Sequence, residues 1–158
     1  MDEGSRNVVA FLGALTQAQH TLLQLANDLA DGGLVADQHE PYIRISMHAW
    51  RYLEIGVEVD TAVCRRYNLR LTVDWSEDQW KIQTGAASQV VRGAVWDAES
   101  YLPDQLGLPV RSATTLDGFA VELREATMSG CHALRQLLAS GRVAAQEAEP
   151  GAAPDTAR

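Results

Sequence analysis

The residues of this chain with the most chemical reach are four histidines, two cysteines and a set of carboxylates spaced along alternating segments. His20, His39, His48 and His132 show no ligand spacing such as H-x3-H, so the sequence predicts no metal site. Cys131 and His132 are neighbours, which suggests a thiol and its base. Adjacent residues on a helix point about 100° apart, however, and a working pair needs the base within hydrogen-bond reach. Cys131 therefore reads as a small buried residue. Cys64 precedes Arg65-Arg66, which would acidify a thiol, but its place between two strands reads as a turn.

The carboxylates are more suggestive. If Val63 pairs with Leu69 in an antiparallel ladder, Glu58 faces Asp74, and Asp74 in turn faces Lys81. Glu58, Asp74 and Lys81 then form a row across three strands, with Asp60 beside it. Two carboxylates do acid–base work when burial separates their pKa values. A solvated sheet face does not separate them, so the row is expected to be a charged surface. No glycine-rich phosphate loop, G-x-S-x-G, C-x-x-C or RNA-binding aromatic motif is present. The sequence thus points away from an enzyme and implies no cofactor.

Charge bounds the partners. Twenty-one acidic residues against 13 basic ones give a net charge of −8. Such a chain has no basic excess for nucleic acid or an anionic membrane, and favours a protein partner, preferably a basic one. Of the basic residues only Lys81 is lysine, a bias typical of GC-rich bacterial genomes. The acidic start Met1-Asp2-Glu3 and the short apolar run Val8–Leu15 do not make a signal peptide or a span. With two cysteines only, the expected setting is the reducing cytoplasm.

The elements that must position these residues follow from periodicity. Leu69–Gly85 is a β-hairpin: Leu69, Leu71, Val73 and Trp75 alternate with polar residues, Ser76–Gln79 turns, and Trp80, Ile82 and Thr84 alternate again. Closed symmetrically, it sets Trp75 opposite Trp80, Val73 opposite Ile82 and Asp74 opposite Lys81. Both tryptophans are then expected beneath a helical layer. Tyr42–His48 and Leu53–Val63 alternate as two earlier strands, with Gly56 marking a bulge. Residues 89–96 are rich in valine and predict a fifth strand, although helix is compatible with Ala86, Ala87 and Ala94. Residues 97–113, with Pro103, Gly107 and Pro109, predict a loop.

Residues 6–31 form an amphipathic helix with the seam Val8, Phe11, Leu15, Ala18, Leu22, Leu25 and Leu29, capped by Ser5 or Asn7 and ended by Gly32-Gly33. A second helix, about residues 116–140, carries the seam Leu116, Phe119, Leu123, Ala126, Gly130, Ala133 and Leu137. Its small residues suggest close approach of the first helix, the two running antiparallel. The sequence therefore predicts an α+β domain over residues 1–141: an antiparallel four- to five-stranded meander with both helices on one face. Residues 142–158, rich in Ala, Pro, Gly and Glu, predict a flexible tail.

The function expected from this is a non-catalytic interaction module (adaptor, regulator or immunity-type inhibitor), with part of one seam available for a homodimer. Its expected contact residues are Glu58, Asp60, Asp74, Glu77 and Asp78 on the acidic face and turn, with Trp96 and Tyr101 as aromatic anchors. The alternative is a ligand-binding or hydrolytic domain whose pocket lies between the sheet and loop 97–113.

Overall fold

The computed structural model describes residues 2–35, 37–38, 41–46, 52–60, 65–92, 95–96, 100–101 and 106–139. The expected tail 142–158, Trp50, Cys64, His39 and His48 lie outside the described residues. Helix α1 is Glu3–Asp31. The strands follow as β1 Asp37–Gln38, β2 Tyr42–Ser46, β3 Tyr52–Asp60, β4 Arg65–Ser76, β5 Gln79–Arg92, β6 Val95–Trp96, β7 Ser100–Tyr101 and β8 Arg111–Ala113. Helix α2, Leu116–Ala139, closes the order. The fold is the expected α+β arrangement, an antiparallel sheet with the helices on one face.

Three long strands, β3, β4 and β5, make the centre of the sheet. The outer edge of β3 is paired by β1 and β2 at different heights, and that of β5 by β8, β7 and β6. The hairpin register is the one that alternation dictates: Trp75 opposite Trp80, Val73 opposite Ile82 and Asp74 opposite Lys81. Only Glu77 and Asp78 turn, both in the left-handed region at φ 55° and 58°. A two-residue loop needs this conformation to match the twist of its strands. Residues 89–92, expected to belong to a fifth strand, extend β5 instead, and Arg111–Ala113, expected in a loop, forms β8.

The β3–β4 register departs from expectation. Glu58 faces Asn68 and Asp74 faces Tyr52, a slip of six residues from the pairing of Val63 with Leu69. The connection has five residues in either pairing but is displaced by three, since the ladder closes at Asp60–Arg66 instead of Val63–Leu69. Because six is even, every side chain keeps its face. Ile55, Val57, Val59, Leu69, Leu71, Val73 and Ile82 are still buried against the helices.

Helix α1 starts earlier than expected. The N-cap is Asp2, whose Oδ1 accepts the Ser5 N–H at 2.8 Å, a bond that also holds the Asp2 carboxyl below its ordinary pKa. Its end is a Schellman motif: Gly33 sits at φ 69° while the Leu34 N–H reaches the Leu29 carbonyl. At α2, Thr115 is the cap, its Oγ1 accepting the Gly118 N–H at 3.1 Å.

The two helices run parallel, not antiparallel. Phe11 stacks on Phe119 near both starts, at 5.2 Å between centroids, and Asp28 pairs with Arg135 near both ends. Topology explains this. Chain passes β2, β3, β4, β5 and β8 alternate in direction, and an odd number of passes returns α2 to the heading of α1.

Helix α2 also spends its small residues differently. A Cβ on Gly130 would meet Thr84 Cγ2 at 2.7 Å and Leu69 Cδ1 at 3.3 Å, so the close approach is to the sheet and not to α1. Nor does Gly56 mark a bulge. It pairs directly with Tyr42, whose ring occupies the space that a Cβ would need.

Candidate functional site

The carboxylates expected to form a site share the sheet face away from the helices, but the register pulls them apart. Glu58 and Asp60 lie side by side on β3 and are both engaged by Arg66, at 3.3 Å and 2.7 Å. The Arg66 fork holds Asp60 through two hydrogen bonds, a geometry that gives directional strength. Arg66 thus joins Arg44, Arg70 and Lys81 on this face among the described residues. Asp74 stands further along, between Tyr52 and Lys81 in register. Glu58 and Asp74 do not meet.

What the face does hold is a buried polar cluster at its β2 edge. The Tyr42 hydroxyl lies 2.9 Å from Glu54 Oε1 and 3.0 Å from Asn68 Oδ1, and Asn68 Nδ2 donates to Glu58 Oε1 at 3.3 Å. Glu54 is only 5% exposed. Burial pushes the Tyr42 phenol well above its ordinary pKa, and the Glu54 carboxylate beside it adds to the shift. A phenol held protonated is a donor rather than a base. Its single proton serves one of two acceptors at a time, which suits it to pinning β2 across β3. Arg44 sits 5.0 Å from the centre of the Tyr42 ring and 3.8 Å from Glu54, completing the cluster. Alternation along β3 puts Glu54 on the face away from the helices; the aromatic that covers it comes from β2, and the register reveals it.

The remaining expected residues divide. Glu77 and Asp78 form the hairpin turn, and Glu77 accepts from Lys81 Nζ at 2.7 Å, which draws its carboxyl below the ordinary pKa. Trp96 pairs in β6 with Val91, and Tyr101 in β7 with Ala87, so both are placed on the β5 edge by their backbones. Residues 97–99 and 102–105 of the loop expected to close a ligand pocket lie outside the described residues.

A group of exposed apolar side chains lies elsewhere, at the end where both helices begin and the hairpin turns. Trp80 packs against Phe11 at 5.5 Å and Phe119 at 4.9 Å, with Trp75 edge-on to it at 4.7 Å. Trp80 is under the helices as expected, whereas Trp75 is 49% exposed. It occupies the last helix-side position of β4, beyond the cover of either helix. Next to this cluster an open groove of about 380 Å³ is lined by Asn7, Val8, Phe11, Leu12, Trp80 and Leu116. Val8 and Leu12 are 58% and 54% exposed.

The groove lies at the end of the helix pair. Helix α1 has 29 residues and α2 has 24, and Phe11 is matched to Phe119, which stands much nearer the start of its own helix. The first turns of α1 therefore overhang by five residues, about 7.5 Å at 1.5 Å per residue. The overhang is residues 3–7, so Val8, the first residue of the seam, stands level with Leu116 at the very start of α2. The two seams are equal, seven residues each, so the sequence carried no sign of this opening, and Val8, Phe11 and Leu116 read as core.

Among the described residues, no cluster of three or more His, Cys, Asp or Glu is arranged to hold a metal ion, and no helix is long and apolar enough to cross a membrane. No protein family model, curated protein or solved structure matches the chain.

Proposed function

We propose that this chain is a non-catalytic protein-interaction module of the bacterial cytoplasm, acting as an adaptor, regulator or immunity-type inhibitor. The observation that carries the reading is the display of large apolar side chains, Val8, Leu12 and Trp75, around a groove at one end of the domain. Contiguous exposed apolar surface marks interaction sites, and tryptophan is enriched among the residues that dominate binding energy. The acidic balance supports a basic partner. Glu77 and Asp78, named from the sequence as contact residues, belong to this end. Glu58 and Asp60, tied down by Arg66, are less available than an unpaired row would be.

The test is affinity capture with the tagged full chain followed by mass spectrometry of the eluate. The expected result is a small set of proteins retained at physiological salt and lost on competition with untagged chain. Failure to retain any protein specifically, across expression hosts and salt concentrations, would sink the reading.

A further inference from the structure

We infer that the groove between the helix starts and the hairpin tip receives a cationic amphipathic segment of a partner protein. Apolar side chains of that segment would seat on Val8, Phe11, Leu12, Trp80 and Leu116, and its basic residues would face the carboxylates of the rim. The inference rests on the interaction reading and specifies the partner's chemistry.

The lining sets the first half of the complementarity. It is almost wholly apolar, with Asn7 at its edge, and at about 380 Å³ it has room for a few side chains but not for a folded element. A segment that inserts one face and leaves the other outside fits that description.

The rim sets the second half. Because the helices are parallel and the hairpin tip lies at the same end, five carboxylates converge there. Asp2 and Glu3 cap the overhang of α1, Asp117 lies in the first turn of α2, and Glu77 and Asp78 make the turn. Arg6 and Lys81 stand against them, with Lys81 held by Glu77. Two helix N-termini add roughly half a positive charge each, about one charge in all, so the rim stays negative. It attracts a basic segment and disfavours an acidic one.

The same charges argue against other occupants. An anionic membrane would be repelled. A second copy would bring an identical acidic rim against this one, as a two-fold contact requires. The chain's own residues 140–158 follow the far end of α2, about 36 Å from its start. They contain Val143 as their one aliphatic residue larger than alanine, no aromatic, and more acidic than basic side chains.

The experiment uses the full chain and dye-labelled designed peptides, read by fluorescence anisotropy. The probe is a 14-residue Leu/Lys amphipathic helix. Controls are the same peptide with glutamate for lysine and a scrambled version without an apolar face. The Leu/Lys peptide should bind, with both controls at least tenfold weaker. Leu12→Gln and Val8→Gln, at exposed positions, should each weaken binding at least tenfold while melting like wild type. Combined Glu77→Gln, Asp78→Asn and Asp117→Asn should weaken it severalfold and flatten its salt dependence.

Several results would overturn the inference: equal binding of the glutamate or scrambled peptide, indifference to Leu12→Gln, binding of anionic vesicles in place of the peptide, or a dimer in light scattering that Leu12→Gln disperses. Affinity capture separates this inference from the reading beneath it. A partner held equally by wild type and Leu12→Gln overturns the groove and leaves the interaction reading standing. A wild-type chain that retains nothing overturns the interaction reading itself.

Discussion

The Tyr42 ring lies across Gly56, so that a Cβ built on the glycine would fall 2.5 Å from the phenolic oxygen and 2.9 Å from the Leu69 carbonyl oxygen. A glycine inside a strand is poorly packed alone, and an aromatic from the paired strand restores the cover. Gly56→Ala should therefore destabilise the domain by roughly 1–3 kcal/mol through overpacking. In a Tyr42→Ala background the rescue should be partial, since the carbonyl contact remains. Urea titrations of the four proteins in the cycle measure this, and complete additivity would contradict the contact.

Gly130 makes the matching approach from the helix side. Gly130→Ala brings a methyl to 2.7 Å from Thr84 Cγ2, and should cost about 1–3 kcal/mol despite the better helix propensity of alanine. Thr84→Ser removes that methyl and should recover a good part of the loss. A variant with Gly130→Ala alone that melts above wild type would show that α2 stands further from the sheet.

The two tryptophans should separate on truncation. Trp80 touches Phe11, Phe119 and Trp75, and Trp80→Ala is expected to cost about 3–5 kcal/mol. Trp75, half exposed and held mainly by one edge-to-face contact, should cost about 1 kcal/mol. Equal losses in chemical denaturation would mean that Trp75 is covered in solution.

Glu77 and Asp78 both occupy the left-handed region that Asn and Gly adopt more readily. Replacing the pair with Asn-Gly should raise the melting temperature by a few degrees. The Glu77–Lys81 ion pair lost in the exchange is screened by solvent and contributes little. The same replacement removes two carboxylates from the rim, so stability and affinity for a basic peptide should move in opposite directions.

Cys131 is buried against the core, and burial raises its thiol from 9.0 to about 11. The neutral form is the one that the fold favours. Its contribution is fully present below pH 9, where the unfolded chain is also protonated, and is lost as pH rises towards 11. The loss amounts to roughly 2–3 kcal/mol. Urea unfolding under reducing conditions from pH 8 to 11 should show a shallower alkaline decline for Cys131→Ala than for wild type.

Local periodicity made much of this architecture legible. The hairpin register could be read because Trp75, Val73 and Asp74 each have one sensible partner across a short turn. The β3–β4 register could not, because alternation does not show at which residues the connection begins and ends, and the proposed Glu58–Asp74 row dissolved with it. Helix direction failed because it was read from the seams, whose spacing is the same whichever way the two helices run. At the candidate site, Glu77 and Asp78 were identified from the turn. Val8 was absorbed into a seam, since periodicity shows which face of a helix is apolar and not how much of that face its neighbours cover.

The broken edges of the sheet have a further consequence. Along β3 the outer ladder is met by β1 and β2, two and five residues long, and along β5 by β8, β7 and β6, none longer than three. No long, flat edge strand is offered among the described residues as a template for a further strand. Sheets growing by strand addition seed fibrils and promiscuous pairing, and short interrupted edges are a device against both. A partner on these terms must be selected by side chains, whose identity can be read, rather than by backbone, which is the same in every protein.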